Sequence, residues 1–205
     1  MKKLNYFLTL GMLSTLFFVS SCSDDDAPAA ENEEEIITDV RLTFTPAAGG
    51  TPIVAAAQDP DGEGREDLEI ISQIVLAANT EYNLSIEIEN SVAGESITEE
   101  IEAEADEHMF FFSFSNDIFS NPTGDGNIDA REGNAVLYLD EDNAGLPLGL
   151  LTSWTTGEAW GTPEDPTSLG TFRVVLKHQP NIKSASSTAN DGGSDISLTW
   201  DVTIE

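Results

Sequence analysis

The sequence predicts an all-β fold, a two-sheet antiparallel sandwich carrying one short helical insertion. Three observations carry the prediction. Beyond residue 38, apolar and polar residues alternate along most of the chain, the period of a strand with one buried face. About nine such runs are separated by turns bearing Gly, Asp, Asn and Pro, the rhythm of a sandwich or barrel. Only one stretch keeps helical spacing, too few for the strand–helix alternation of a parallel sheet. Of 205 residues 40% are hydrophobic, with 10 Phe and 3 Trp, enough for one core in one domain.

The elements follow in chain order. Lys2 and Lys3 precede a mostly apolar run, Tyr6 to Val19, that ends in Ser20-Ser21-Cys22. A basic start, a short apolar stretch and small residues read as a secretory leader. The run falls short of the ~20 residues that span a bilayer comfortably. Cys22 is the only cysteine, so no disulfide forms within the chain. Its position predicts lipidation, because Val19 to Cys22 is similar to a lipobox, where signal peptidase cuts before a cysteine that then carries acyl chains. Such chains contribute ~0.8 kcal/mol per buried CH₂, and two or more anchor stably.

From Asp24 to Glu35 the chain holds acids and no base. Like charges repel and extend it into a tether. The expected division is residues 1–21 as leader, 22–38 as acidic tether and 39–205 as one sandwich domain. An acidic run directly after the cysteine resembles the surface-export signal of Bacteroidota-type lipoproteins. That resemblance implies outward display on the outer membrane, with the periplasmic face as the alternative.

In the domain, Val40, Leu42 and Phe44 alternate with Arg41, Thr43 and Thr45. Strands are predicted over residues 51–57, 68–76 and 80–89. Residues 96–107 break the period, with Ile97, Ile101 and Ala105 at helical spacing. Ser96 and Glu99 form a capping box there. So short a helix needs a sheet to pack on. Phe110, Phe112 and Phe114 share a face, with Phe111 opposite. Residues 135–140 and 148–154 are further strands. Phe172, Val174 and Leu176 point one way, Arg173 and Lys177 the other. Ile196, Leu198, Trp200, Val202 and Ile204 close the chain on one face.

The segment Leu76 to Ile86, LAANTEYNLSI, is similar to the L-x-P-x-T-x-Y-x-V segment of fibronectin type III domains, with Ala78 in the place of proline. It implies a tyrosine corner at Tyr82, whose hydroxyl bonds backbone upstream, and an immunoglobulin/fibronectin III-like sandwich. A longer string of segments runs through the whole chain: DPDGEG, LAANTEYNLSIEI, ITEEIEAEADEHMFFF, LDEDNAGLPLGL, LKHQPNIKS and DISLTWDVTI. It resembles small Bacteroidota outer-membrane lipoproteins labelled type 1 periplasmic binding fold superfamily protein. That label implies two α/β lobes around a ligand, whereas the residues themselves predict one β domain.

Charge excludes some partners. Eight Lys and Arg against 38 Asp and Glu leave a formal charge of −30. Phosphate backbones need a basic face, so nucleic acid is not expected, and charge alone does not hold the chain on anionic lipid.

Three constellations could carry chemistry. Asn121, Thr123, Asp125, Asn127, Asp129 and Glu132 stand at the oxygen-ligand positions of an EF-hand-type loop, with Gly126 at its turn and Ile128 at the apolar position. Calcium is therefore a possible cofactor, or the loop fits by coincidence. The acidic turns Asp59 to Gly64 and Asp140 to Gly145 have the composition of hairpin loops. His108 and His178, the only histidines, share parity with inward residues and sit at strand ends. They read as packed core-margin residues or as a transition-metal or haem pair, with Glu104 or Glu107 as partners. Trp154 suits the core, and Trp160 suits either the core or stacking on a ligand.

No G-x-S-x-G elbow, Walker loop or dinucleotide fingerprint is present, so no catalytic residues are assigned and an enzyme is not expected. The expected function is a lipid-anchored, non-enzymatic binding or accessory lipoprotein, acting with an outer-membrane transporter or a small ligand. The alternatives are a metal or haem scavenger using His108 and His178, and a structural or adhesive surface protein stiffened by calcium.

Overall fold

A computed structural model describes residues 36–59, 61, 68–115, 118–124, 126–128, 136–161 and 169–205. The leader, Cys22, the tether up to residue 35, and Asp125, Asp129 and Glu132 lie outside these residues.

Among the described residues, twelve strands and one helix follow one another: β1 Asp39–Pro46, β2 Ile53–Gln58, β3 Glu69–Ile70, β4 Ile74–Leu76, β5 Glu81–Asn90, β6 Glu95–Ser96, α1 Ile97–Ala103, β7 His108–Phe114, β8 Phe119–Asn121, β9 Leu137–Tyr138, β10 Leu151–Thr156, β11 Gly170–His178 and β12 Gly193–Ile204. One sheet runs β3-β2-β1-β5-β10-β8, with β6 on β5 and β9 on β10; the other runs β4-β12-β11-β7. Every strand pair is antiparallel except β4 with β12. The β5–β10 pair and the β7–β11–β12 triplet repeat the B–E and C–F–G pairings of an immunoglobulin-like sandwich. The described residues form an all-β sandwich, not the two α/β lobes that the lipoprotein label implies.

The period-two pattern predicts the inward faces well. Val40, Leu42 and Phe44 of β1 and Leu84, Ile86 and Ile88 of β5 are buried between the sheets. There they meet Phe172, Val174 and Leu176 of β11 and Ile196, Trp200, Val202 and Ile204 of β12. An aromatic group at the centre joins Phe112, Phe114, Phe119, Trp154 and Phe172; Trp154 and Phe172 meet edge to face at 5.0 Å and 87°. Such pairs add about 0.5–1.5 kcal/mol beyond their buried area. Trp154 is fully buried, with Nε1 donating to Thr152 Oγ1, and Trp160 is 39% exposed.

Tyr82 makes the hydrogen bond of a tyrosine corner, but on the B-like strand β5 rather than on the F-like strand where fibronectin type III domains carry it. Its ring is buried, and its hydroxyl accepts the Ala77 N–H at 3.0 Å. Thr156 closes the same turn, accepting from Thr80 N and donating to the Ala77 carbonyl. The corner opens β5, the strand between β1 and β10.

Four expectations change. The run 68–76, read as one strand, becomes two in different sheets: β3 pairs β2, and β4 pairs β12. The chain crosses between sheets at residues 71–73, and Ser72 Oγ takes the Ala56 N–H as it does so. The tether ends earlier than residue 38, because Ile37 and Thr38 are buried and Thr38 N donates to Glu89 O. The helix stops at Ala103; Ser96 Oγ accepts from Glu99 N, one half of the capping box. Phe111, read as outward, is fully buried in a second cluster with Met109, Ile128 and Val175. The segment holding Ile128 covers the outer face and free edge of β7. Gly126 pairs with Ser113, and Asn127 exchanges bonds with the Phe112 backbone. Covering that edge removes a row of unpaired backbone groups from solvent.

Candidate metal centre

The β7–β11 register puts His178 opposite His108, at the end of the pairing that begins with Phe172 opposite Phe114. Inward parity turns both rings into the sandwich. They lie face to face with centroids 4.6 Å apart and planes 17° apart, and both residues are buried.

The turn between α1 and β7 brings carboxylates to the same place. His108 Nδ1 lies 3.2 Å from the Glu104 carbonyl oxygen, which can only accept, so Nδ1 carries the proton. His178 Nε2 lies 3.2 Å from Glu107 Oε2. The Glu107 carbonyl also accepts the Gln179 N–H, which ties that turn to the end of β11. The donor atoms offered by Glu104, His108 and His178 lie within 4.8 Å of one another. Glu104 is exposed and the two histidines are buried, so the group reaches from solvent into the sandwich margin.

Electrostatics here favour neutral imidazole. Burial pushes the His108 pKa below its ordinary value, and His178 beside it pushes the same way. The Glu104 carbonyl and the charges of Asp195 and Glu104 oppose that shift without reversing it. Asp195, whose charge acts on His108, stands where β12 is irregular. Leu176 pairs with Ile196 and Lys177 with Ser194, so the register shifts by one residue at Asp195. Strict alternation gives no signal for that residue, since a bulge breaks the period.

The calcium-type loop is placed only in part. Asn121 ends β8, paired with Thr155, and Thr123 is exposed. Asn127 is buried, and its side chain is taken: Oδ1 accepts from Phe112 N at 2.8 Å and Nδ2 donates to Tyr138 Oη at 2.7 Å. Its main-chain carbonyl is the atom an EF-hand uses at that position. The acidic turn 140–145 is structural. Asp140 accepts from Gly149 N and Leu151 N, and Asp142 from Ala144 N and Leu146 N.

Among the described residues no helix is long and apolar enough to cross a membrane. Compared with family models, with curated proteins and with solved structures, the chain finds no match.

Proposed function

We propose that this chain is a lipid-anchored, non-enzymatic binding or accessory module of the cell envelope, displayed outward from the outer membrane. The observation that carries the reading is the setting of Cys22. The sole cysteine follows a basic start and a short apolar run, and a stretch with acids and no base follows it. Acyl chains on that sulfur bind the bilayer through buried CH₂ groups. The acidic tether holds the domain away from a surface of like charge.

The sandwich supports the reading. Ile37 and Thr38 are already buried against the sandwich, whose inward residues form one core cluster. Its partner on this reading is an outer-membrane transporter or a small ligand.

Metabolic labelling with an alkyne fatty acid tests the anchor. The wild-type chain takes up label and partitions with membranes, and Cys22→Ala does neither. Mass spectrometry that found an unmodified thiol in a chain retaining its leader would overturn the reading. Protease shaving of intact cells decides the face, since only an outward domain is removed.

A further inference from the structure

We infer that Glu104, His108 and His178 form a binding site for one divalent transition-metal ion of the zinc class. The inference is independent of the anchor at Cys22.

The donors come from three places that the fold alone unites. His108 opens β7, His178 ends β11, and Glu104 ends the turn of α1. Zn–N bonds of ~2.0–2.1 Å set tetrahedral donors about 3.3 Å apart. Donor atoms already within 4.8 Å need only side-chain rotation to close on an ion. Imidazole with carboxylate suits zinc, copper and nickel, whereas calcium takes oxygen alone. Three protein donors leave a tetrahedral ion one position for water.

The surroundings match those of metal-bound imidazole. Such a ring donates its second N–H to a carbonyl or carboxylate, which fixes its tautomer and orientation. His108 Nδ1 faces the Glu104 carbonyl, and His178 Nε2 faces the Glu107 carboxylate, each at 3.2 Å. One nitrogen of each ring thus faces an oxygen acceptor, as in that arrangement. Glu107 is the positioning residue of this set. Asp195 adds negative potential at His108, which offsets the cost of bringing a cation to a buried edge.

A metal lies in the plane of each ring it binds. Binding therefore opens the near-parallel 17° arrangement. Haem does not suit this pair. A porphyrin needs its two axial imidazoles on opposite sides of the ring, and rings whose centroids are 4.6 Å apart leave no room between them.

The full chain, purified in detergent and stripped with chelator, is titrated with Zn²⁺ in excess Mg²⁺, which saturates diffuse attraction to the acidic surface. Co²⁺ replaces Zn²⁺ in a parallel absorption experiment. The expected result is one equivalent of Zn²⁺ and a visible d–d band with Co²⁺. Glu104→Gln, on an exposed side chain, weakens Zn²⁺ binding at least tenfold, and His178→Gln abolishes it. Should His178→Gln fail to fold, Glu104→Gln and the Co²⁺ band decide alone. No stoichiometric binding, no Co²⁺ band, or Glu104→Gln binding like wild type overturns the site.

Discussion

Lys183 Nζ lies 3.0 Å from Asp142 Oδ2, and both side chains are 1% exposed. The same ammonium donates to the Ala105 carbonyl at 2.6 Å. One cation thus fastens three segments: the β11–β12 loop, the turn after β9 and the chain leaving α1. Burial raises the Asp142 pKa, but the Leu146 N–H, Lys183 and the Ala144 N–H outweigh it and hold the carboxyl below its ordinary value.

Removing one member of this pair strands the other. Lys183→Met leaves a buried carboxylate without its cation and is expected to cost about 3–5 kcal/mol. Urea unfolding measures the loss. Adding Asp142→Asn recovers part of it, because the amide oxygen still caps the turn and no buried charge remains. Equal stability of wild type and Lys183→Met would show that the pair contributes nothing net.

Tyr82→Phe keeps the buried ring and deletes only the acceptor of the Ala77 N–H. The expected loss is about 1 kcal/mol, the usual net worth of one intramolecular hydrogen bond. The urea midpoint falls at unchanged m-value. A change in m instead would mean that the corner shapes the unfolded or native ensemble.

Gly126→Ala acts through geometry. Gly126 has φ +85°, and a Cβ there would lie 2.1 Å from the Phe112 carbonyl oxygen. The segment must lift off β7, which frees the Phe112 and Asn127 amides that it protects. Hydrogen exchange at those two amides accelerates while the β5 amides keep their protection, the mark of a local opening. Unchanged exchange at Phe112 would show that the edge is held by other contacts.

Stability of the metal-free protein, measured in chelator, falls as pH drops below about 6.5. The folded His108 pKa is depressed. In the window just under the ordinary value the unfolded chain therefore binds more protons, and stability rises with pH. The effect is fully lost from the unfolding free energy once pH is below the folded value. The groups that act on His108 are His178, Glu104 and Asp195, with Glu107 on His178. His108→Gln flattens this slope between pH 7 and 5, read from melting temperatures. A variant that keeps the wild-type slope would place the titration elsewhere.

The fold class, most strands and their inward faces were legible from residue order alone. Alternation is a property of neighbours in the chain, so Phe110, Phe112 and Phe114 declare a buried face before any partner is known. It likewise put His108 and His178 on inward parity at strand ends, and Tyr82 in a recognisable corner. It misread Phe111, because alternation assumes one wet face and the segment holding Ile128 covers the other. It missed Asp195, which sits at a register shift in β12 and whose charge acts on His108.

The folded chain was needed to show that β7 lies beside β11, that residues 68–76 change sheets, and that Lys183 reaches Asp142. Glu107 and His178 meet although 71 residues separate them. Such contacts depend on which strands share a sheet and in which register, and a pattern that repeats every two residues is the same for every possible neighbour.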